Sequence, residues 1–402
     1  MSITAAPATP VHEALRQSGR LGWLDALRGM ALLWVVMLHI HFYTCPVKGT
    51  LNSAGAASFS YLLPVIANSD FGIIRSAFHA LLALGYQGVH IFFVASGFSL
   101  TLSVLRKGDQ PRWLPWARRH FWHLFGLYWL AHAVFWGGCW LRHDWSAMPV
   151  GKGALLSLLA LNWTSSKYVW YGPDAWWFVR MLMQFYLLFP LLFWTLRAKG
   201  PLLLGVGALL VTLAFRAAML GTDSSYVHTL ANYGFCGARL FEFSLGMAVA
   251  WVVWKRPGFP QFRLRYVALS GLVWGCGVAL CFVERGSIFS GSLIALGLFP
   301  LGAWLAARTW RVWRLGSGLS FIGRHSYGVY LVHGPPIPFL LAGLGAAGFG
   351  RHAAGVMVIT TLALIVLGLL FDVCGATLLR LPGYLGAVAA NRLRHRERAR
   401  VV

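Results

Sequence analysis

Apolar residues fall into ten long runs separated by short polar, proline-containing or arginine-rich breaks. The runs cover roughly 24–43, 85–105, 120–141, 174–196, 201–220, 231–254, 264–284, 287–307, 322–344 and 353–379. Each is close to the ~20 residues a helix needs to cross the hydrocarbon core of a bilayer. Three further runs, 60–67, 71–84 and 154–163, are short for a crossing and read as interfacial or re-entrant segments. The pattern predicts an all-α polytopic membrane protein with about ten transmembrane helices in a single membrane domain, residues 21–380. A polar tail, 1–20, precedes it and a basic tail, 381–402, follows. No internal repeat is visible. The tail 1–20 is too polar for a cleavable signal peptide. The first apolar run has no small-residue cleavage site and is long enough to span, so it reads as an uncleaved first helix.

Composition fits this class. The chain of 402 residues is 58% hydrophobic and 11% charged, about half the charged fraction of a soluble domain. Its formal charge of +23 would point to nucleic acid in a soluble protein. Here the positions of the cations explain the charge. If the N-terminus is cytoplasmic and the runs alternate, 23 of the 34 Lys and Arg residues lie on the cytoplasmic side, seven on the opposite side and four inside spans. The positive-inside rule accounts for that bias and places both termini in the cytoplasm, without a nucleic-acid partner. The six cysteines form no CxxC pair and sit mostly in or beside apolar runs, as small hydrophobic residues do. No metal-binding spacing is read.

The four cations inside spans, Arg28, Arg180, Arg216 and Arg239, carry the candidate chemistry, because ionisable groups are rare in lipid and lean functional. Arg28 and His39 share the first helix, eleven positions apart. At ~100° per residue they point the same way, ~16 Å apart along the axis. Asp25, three residues before Arg28, is placed to pair with it. One reading makes Arg28 a basic gate and His39 a general base that takes a proton from a hydroxyl. The other makes Arg28 a snorkelling anchor and leaves His39 bonded to a carbonyl.

The second helix carries Gly88, Ser96 and Gly97, which allow close helix contact; Ser96 also has a hydroxyl to offer a cavity. Arg118 and Arg119 precede the third helix. They serve either topology or a polyanionic ligand such as the phosphates of a nucleotide-bearing donor. Arg239 and Glu242 are three apart and form an intrahelical pair, structural or cavity-lining. Arg180 has no obvious local acidic partner. Tyr330 and His333 share a face, with Ser326 near them, before Pro335 and Pro336, which predict a kink. The aromatic cluster Trp163, Tyr168, Trp170, Tyr171, Trp176 and Trp177 suits an interfacial belt, and part of it a sugar-stacking surface. These residues leave an enzyme and a transporter or flippase of an anionic or sugar-linked substrate both open. The lack of a repeat counts against the transporter.

Four motifs add a resemblance. Leu24-Asp25-Ala26-Leu27-Arg28-Gly29 leads to His39. Gly88-Val89-His90-Ile91-Phe92-Phe93-Val94-Ala95-Ser96-Gly97-Phe98 fills the second helix. Gln184-Phe185-Tyr186-Leu187-Leu188-Phe189-Pro190 lies in the fourth, and Ser326-Tyr327-Gly328-Val329-Tyr330-Leu331-Val332-His333 comes late. In this order and spacing, over almost the whole chain, they resemble the acyltransferase-3 family of bacterial membrane acyltransferases. The resemblance implies a multi-pass protein of the bacterial cytoplasmic membrane, with no permanently bound cofactor. It implies transfer of an acyl group, usually acetyl, from acyl-CoA on the cytoplasmic side to a hydroxyl of an extracytoplasmic glycan or lipid-linked sugar of the cell envelope. It puts Arg28 and His39, with Asp25, at the centre and gives Arg118 or Arg119 to the donor. Ser96, Arg180, Arg239, Glu242, Tyr330 and His333 are expected to line the cavity. The chain departs from the family pattern at Leu182 and Met183, where many members have a glutamate, and at His123 and Gly126, where an arginine and a proline are common.

Overall fold

The computed structural model describes residues 21–44, 72–108, 111–144, 150–222, 224–256, 263–283, 285–310, 312–350 and 354–400. Among them there is no strand. Lipid requires this, because a helix satisfies its own backbone hydrogen bonds where no water can. The principal helices are α1 (Gly22–Thr44), α2 (Gly72–Ala83), α3 (Gly88–Leu105), α4 (Trp113–Leu141), α5 (Lys152–Leu158), α6 (Trp177–Leu220), α7 (Ser225–Thr229), α8 (Leu240–Lys255), α9 (Leu264–Leu280), α10 (Ser287–Trp310), α11 (Trp313–Arg324), α12 (Ser326–Val332), α13 (Ile337–Ala346) and α14 (Ala354–Arg400).

Seven helices among the described residues are long and apolar enough to cross a membrane, or eight if the bent pair α12–α13 is one span. Two of the ten expected spans, 174–196 and 201–220, form one helical run. Its 44 residues in α6 would extend ~66 Å, about twice the hydrocarbon thickness. The run breaks at Gly200, which has φ 83° and ψ 170° and precedes Pro201. A side chain at Gly200 would be strained, and Pro201 cannot donate the helix bond that would mend the break. The expected span 264–284 corresponds to α9, which has 17 residues. The kink expected at Pro335 and Pro336 is present as a 70° bend between α12 and α13.

The short runs resolve differently from one another. Residues 72–83 are no separate interfacial element: α2 continues through the 3-10 turn Leu84–Gln87 into α3, giving one stretch of 34 residues. The run 154–163 becomes α5 and the turn after it. The run 60–67 lies outside the described residues. In the expected C-terminal tail, the backbone of α14 stays helical to Arg400.

Helix contacts at small residues set the geometry of the centre. Gly97 of α3 lies against the Phe243 carbonyl of α8, and Gly246 of α8 against the Val94 carbonyl of α3. Gly29 of α1 and Gly323 of α11 interlock in the same way, Gly323 against the Asp25 carbonyl. Backbones approach this closely where no Cβ intervenes, and dispersion then holds them without a hydrophobic drive. Arg28 sits at the α1–α11 contact, facing α3.

Candidate active site

Arg28 is tied to three oxygens. Its Nη1 is 3.4 Å from Asp25 Oδ1; its Nη2 donates to Ser99 Oγ at 2.6 Å and to the Ala95 carbonyl at 3.4 Å. Ser99 Oγ in turn donates to the Ala95 carbonyl at 2.7 Å. The guanidinium is therefore held between α1 and α3 rather than extended toward a headgroup. A share of 24% of its side-chain surface stays open, and Arg28 lines a cavity of about 180 Å³. Ser96, Tyr186, Tyr327, Tyr330, His123 and Arg324 line it too. One end is cationic, with Arg28 and Arg324. The walls are aromatic, from Phe92 and Phe178.

His39 stands near the opposite end of α1. Its Nδ1 is 2.8 Å from the Val35 carbonyl. A carbonyl only accepts, so Nδ1 carries the proton and neutral His39 presents a free lone pair at Nε2. That is the tautomer a general base needs. The ring lies 4.8 Å from that of His333. His333 is built alike, with Nδ1 2.7 Å from the Tyr330 carbonyl, and its buried Nε2 has no hydrogen-bond partner. Tyr330, 5.6 Å from His333, lines the cavity of Arg28. A chain of side chains thus connects the two: Arg28, the cavity, Tyr330, His333, His39. His39 itself does not line that cavity. The Asp174 carboxylate, in the turn before α6, acts electrostatically on His39 and on Arg180.

The family model described as an acyltransferase domain matches residues 21–380, nearly the whole chain. The chain belongs to the acyltransferase-3 family. No curated protein and no solved structure matches it. As a member of this family the protein is a membrane acyltransferase, and its motifs occupy distinct places. Ser96 of the second-helix motif faces the cavity while Gly97 beside it makes the α8 contact. Gln184 is structural: Nε2 donates to the Gly234 carbonyl at 2.8 Å, and Oε1 accepts from the Cys236 amide at 2.9 Å. It fastens the turn that leads into α8. Of the positions that depart from the family pattern, Leu182 and His123 line the cavity, whereas Gly126 packs against Leu379 of α14.

The remaining sequence candidates separate. Arg118 and Arg119 are exposed near the start of α4. Arg119 precedes the cavity-lining His123 by four residues, one helical turn, so the two share a face at the cationic end. Arg180 lines neither the Arg28 cavity nor the smaller one described below. It is buried, and Nη1 donates to the Val169 carbonyl. Asp174, in the preceding turn, acts on it through its charge alone. Arg239 and Glu242 belong to a second buried cluster with His90 and Arg216. Trp176, expected in the aromatic belt or on a sugar-facing surface, is core: Nε1 donates to the Leu331 carbonyl at 2.8 Å and the ring packs on Tyr128 and His132.

Spacing did not reveal Ser99, Tyr186, Tyr327, Arg324 and Asp174. Each reaches the site from another helix or turn. The available signal was weak: Asp174 is one of only 11 acidic residues in the chain, and an acid beside a span invites the question of which cation it meets.

Proposed function

We propose that the protein is an integral membrane O-acyltransferase of the bacterial cytoplasmic membrane, with ten spans and both termini cytoplasmic. It moves an acyl group, acetyl in the first instance, from cytoplasmic acyl-CoA to a hydroxyl of an extracytoplasmic glycan or glycolipid. The observation that carries this is the side-chain chain from Arg28 through Tyr330 and His333 to His39. It joins a cationic end suited to a phosphorylated thioester with an imidazole suited to deprotonating an alcohol.

In this reading the donor phosphates meet Arg324, Arg118 and Arg119, and the acyl-bearing arm runs past Arg28 through the aromatic-walled cavity and beyond its Tyr330 wall to His39, which stands outside the cavity. The acceptor approaches from the His39 end. Nε2 of His39 takes the hydroxyl proton as the oxygen attacks the thioester carbon. The tetrahedral intermediate collapses with cleavage of the C–S bond, and imidazolium returns the proton to the departing CoA thiolate. Asp174 stabilises the transient imidazolium. The products are an ester on the sugar and CoA-SH. Arg28, fixed by Asp25 and Ser99, needs no reorganisation to hold its end of the donor.

The test uses purified protein with acetyl-CoA labelled in the acetyl group and an array of glycans. The expected result is release of CoA-SH coupled one-to-one to labelled sugar ester. A transporter or flippase would leave the thioester intact and the sugar unlabelled.

A further inference from the structure

A second cavity, of about 30 Å³, opens at the other end of the bundle from Arg324, where α6 and α9 end and α10 begins. Its walls include Arg216, Arg239, His90, Asn232, Ser287 and Ser290. Behind them Glu242, 0% exposed, brings Oε1 within 3.0 Å of Arg239 Nη1, 3.4 Å of Arg216 Nη2 and 3.1 Å of His90 Nδ1. Arg216 also donates from Nε to the Ala238 carbonyl at 3.0 Å. At Gly291 of α10 the Arg216 guanidinium takes the place a side chain would occupy, packed directly against the helix.

The charges in this cluster do not balance. Two guanidiniums, with side-chain exposures of 9% and 7%, share one carboxylate, so with neutral His90 the described groups carry one excess positive charge. Arg239 Nε and Glu242 Oε2 are each buried with no hydrogen-bond partner among the described residues. Among the described residues, an excess cation with an unmade donor and an unmade acceptor at such depth is costly, and a ligand that completes the set lowers that cost. The space is that of about two water molecules, matching the two oxygens of a carboxylate head held by planar guanidinium forks.

We propose that this cavity binds the carboxylate of an acidic sugar approaching from the His39 side. The identity of that sugar as the acyl acceptor rests on the function proposed above; the binding does not. A uronic acid has the required chemistry: one carboxylate on a ring whose hydroxyls extend toward the outside. A neutral hexose fills the same outer space but leaves the excess charge standing.

The measurement is the thermal unfolding of the full-length protein in nanodiscs with D-glucuronate, D-glucose or sodium chloride at matched ionic strength. Glucuronate is expected to raise the midpoint saturably, by about 2 °C or more, with glucose and chloride giving no shift. Arg216→Gln removes the excess charge and the shift with it. Since that variant risks the fold, Ser287→Leu serves as the second: it plugs the mouth and leaves the buried ions in place. Its unliganded midpoint should match the parent while the glucuronate shift disappears. An equal shift from glucose or chloride, no shift from glucuronate, or a shift retained in Ser287→Leu overturns the proposal. Glucuronate binding without acetyl transfer would keep this site and remove the acceptor reading. Transfer to neutral glycans with no glucuronate binding would do the reverse.

Discussion

Replacing His39 by alanine is expected to abolish acyl transfer, by a factor on the order of 10²–10⁴, while leaving the protein folded in the membrane. The size follows from the proposed task, because a positioned general base contributes about that much. The retention of fold follows from the structure. Among the described residues the ring's hydrogen bond runs to the Val35 carbonyl of its own helix, and that carbonyl keeps its place in the helix when the ring is gone. Initial rates of CoA-SH release, with unfolding midpoints measured on the same preparations, separate loss of chemistry from loss of structure. Near-normal transfer by His39→Ala would remove imidazole from the mechanism. A midpoint collapse with proportional activity loss would make His39 a packing residue.

Arg28→Lys is the second large effect. Lysine keeps the charge but cannot repeat a fork that reaches Asp25 with one nitrogen and Ser99 and Ala95 with the other. Because a cation remains beside Asp25, the variant is expected to insert and fold. Its kcat/KM for acyl-CoA should fall by on the order of 100-fold, or ~2.7 kcal/mol of transition-state stabilisation, with most of the change in KM for the donor. Acceptor KM should stay near the parent value, since in the proposed mechanism the acceptor enters from the opposite end. A loss confined to acceptor KM would place Arg28 on the wrong side of the reaction.

The sequence carried the parts of this architecture that lipid enforces. Hydrocarbon thickness fixes the length of apolar runs, so the helical class could be read directly and Pro335–Pro336 marked the bend, whereas ten spans were expected and seven or eight described helices are long and apolar enough to cross. Helical angle placed Arg28 and His39 on one face. Spacing within a helix could not reveal partners supplied by another. It offered Asp25 to Arg28 but not Ser99, and it left Arg180 without the Val169 carbonyl to which it donates. It paired Arg239 with Glu242 but missed His90 and Arg216, which arrive from α3 and α6 and turn an intrahelical pair into a four-residue cluster. Trp176 misled in the opposite direction. Clustered tryptophans at a span end fit an interfacial belt, and only the packing of α4 and α12 around it shows this one to be core.

The central claim is that donor and acceptor reach one centre from opposite faces of the bilayer. Proteoliposomes with the protein in a single orientation, labelled acetyl-CoA outside and glycan trapped inside, test it most directly. With the Arg28 end outward, labelled glycan should accumulate in the lumen while acetyl-CoA remains external, and His39→Ala vesicles should show none. Label appearing only when both substrates share one compartment would contradict transfer across the membrane.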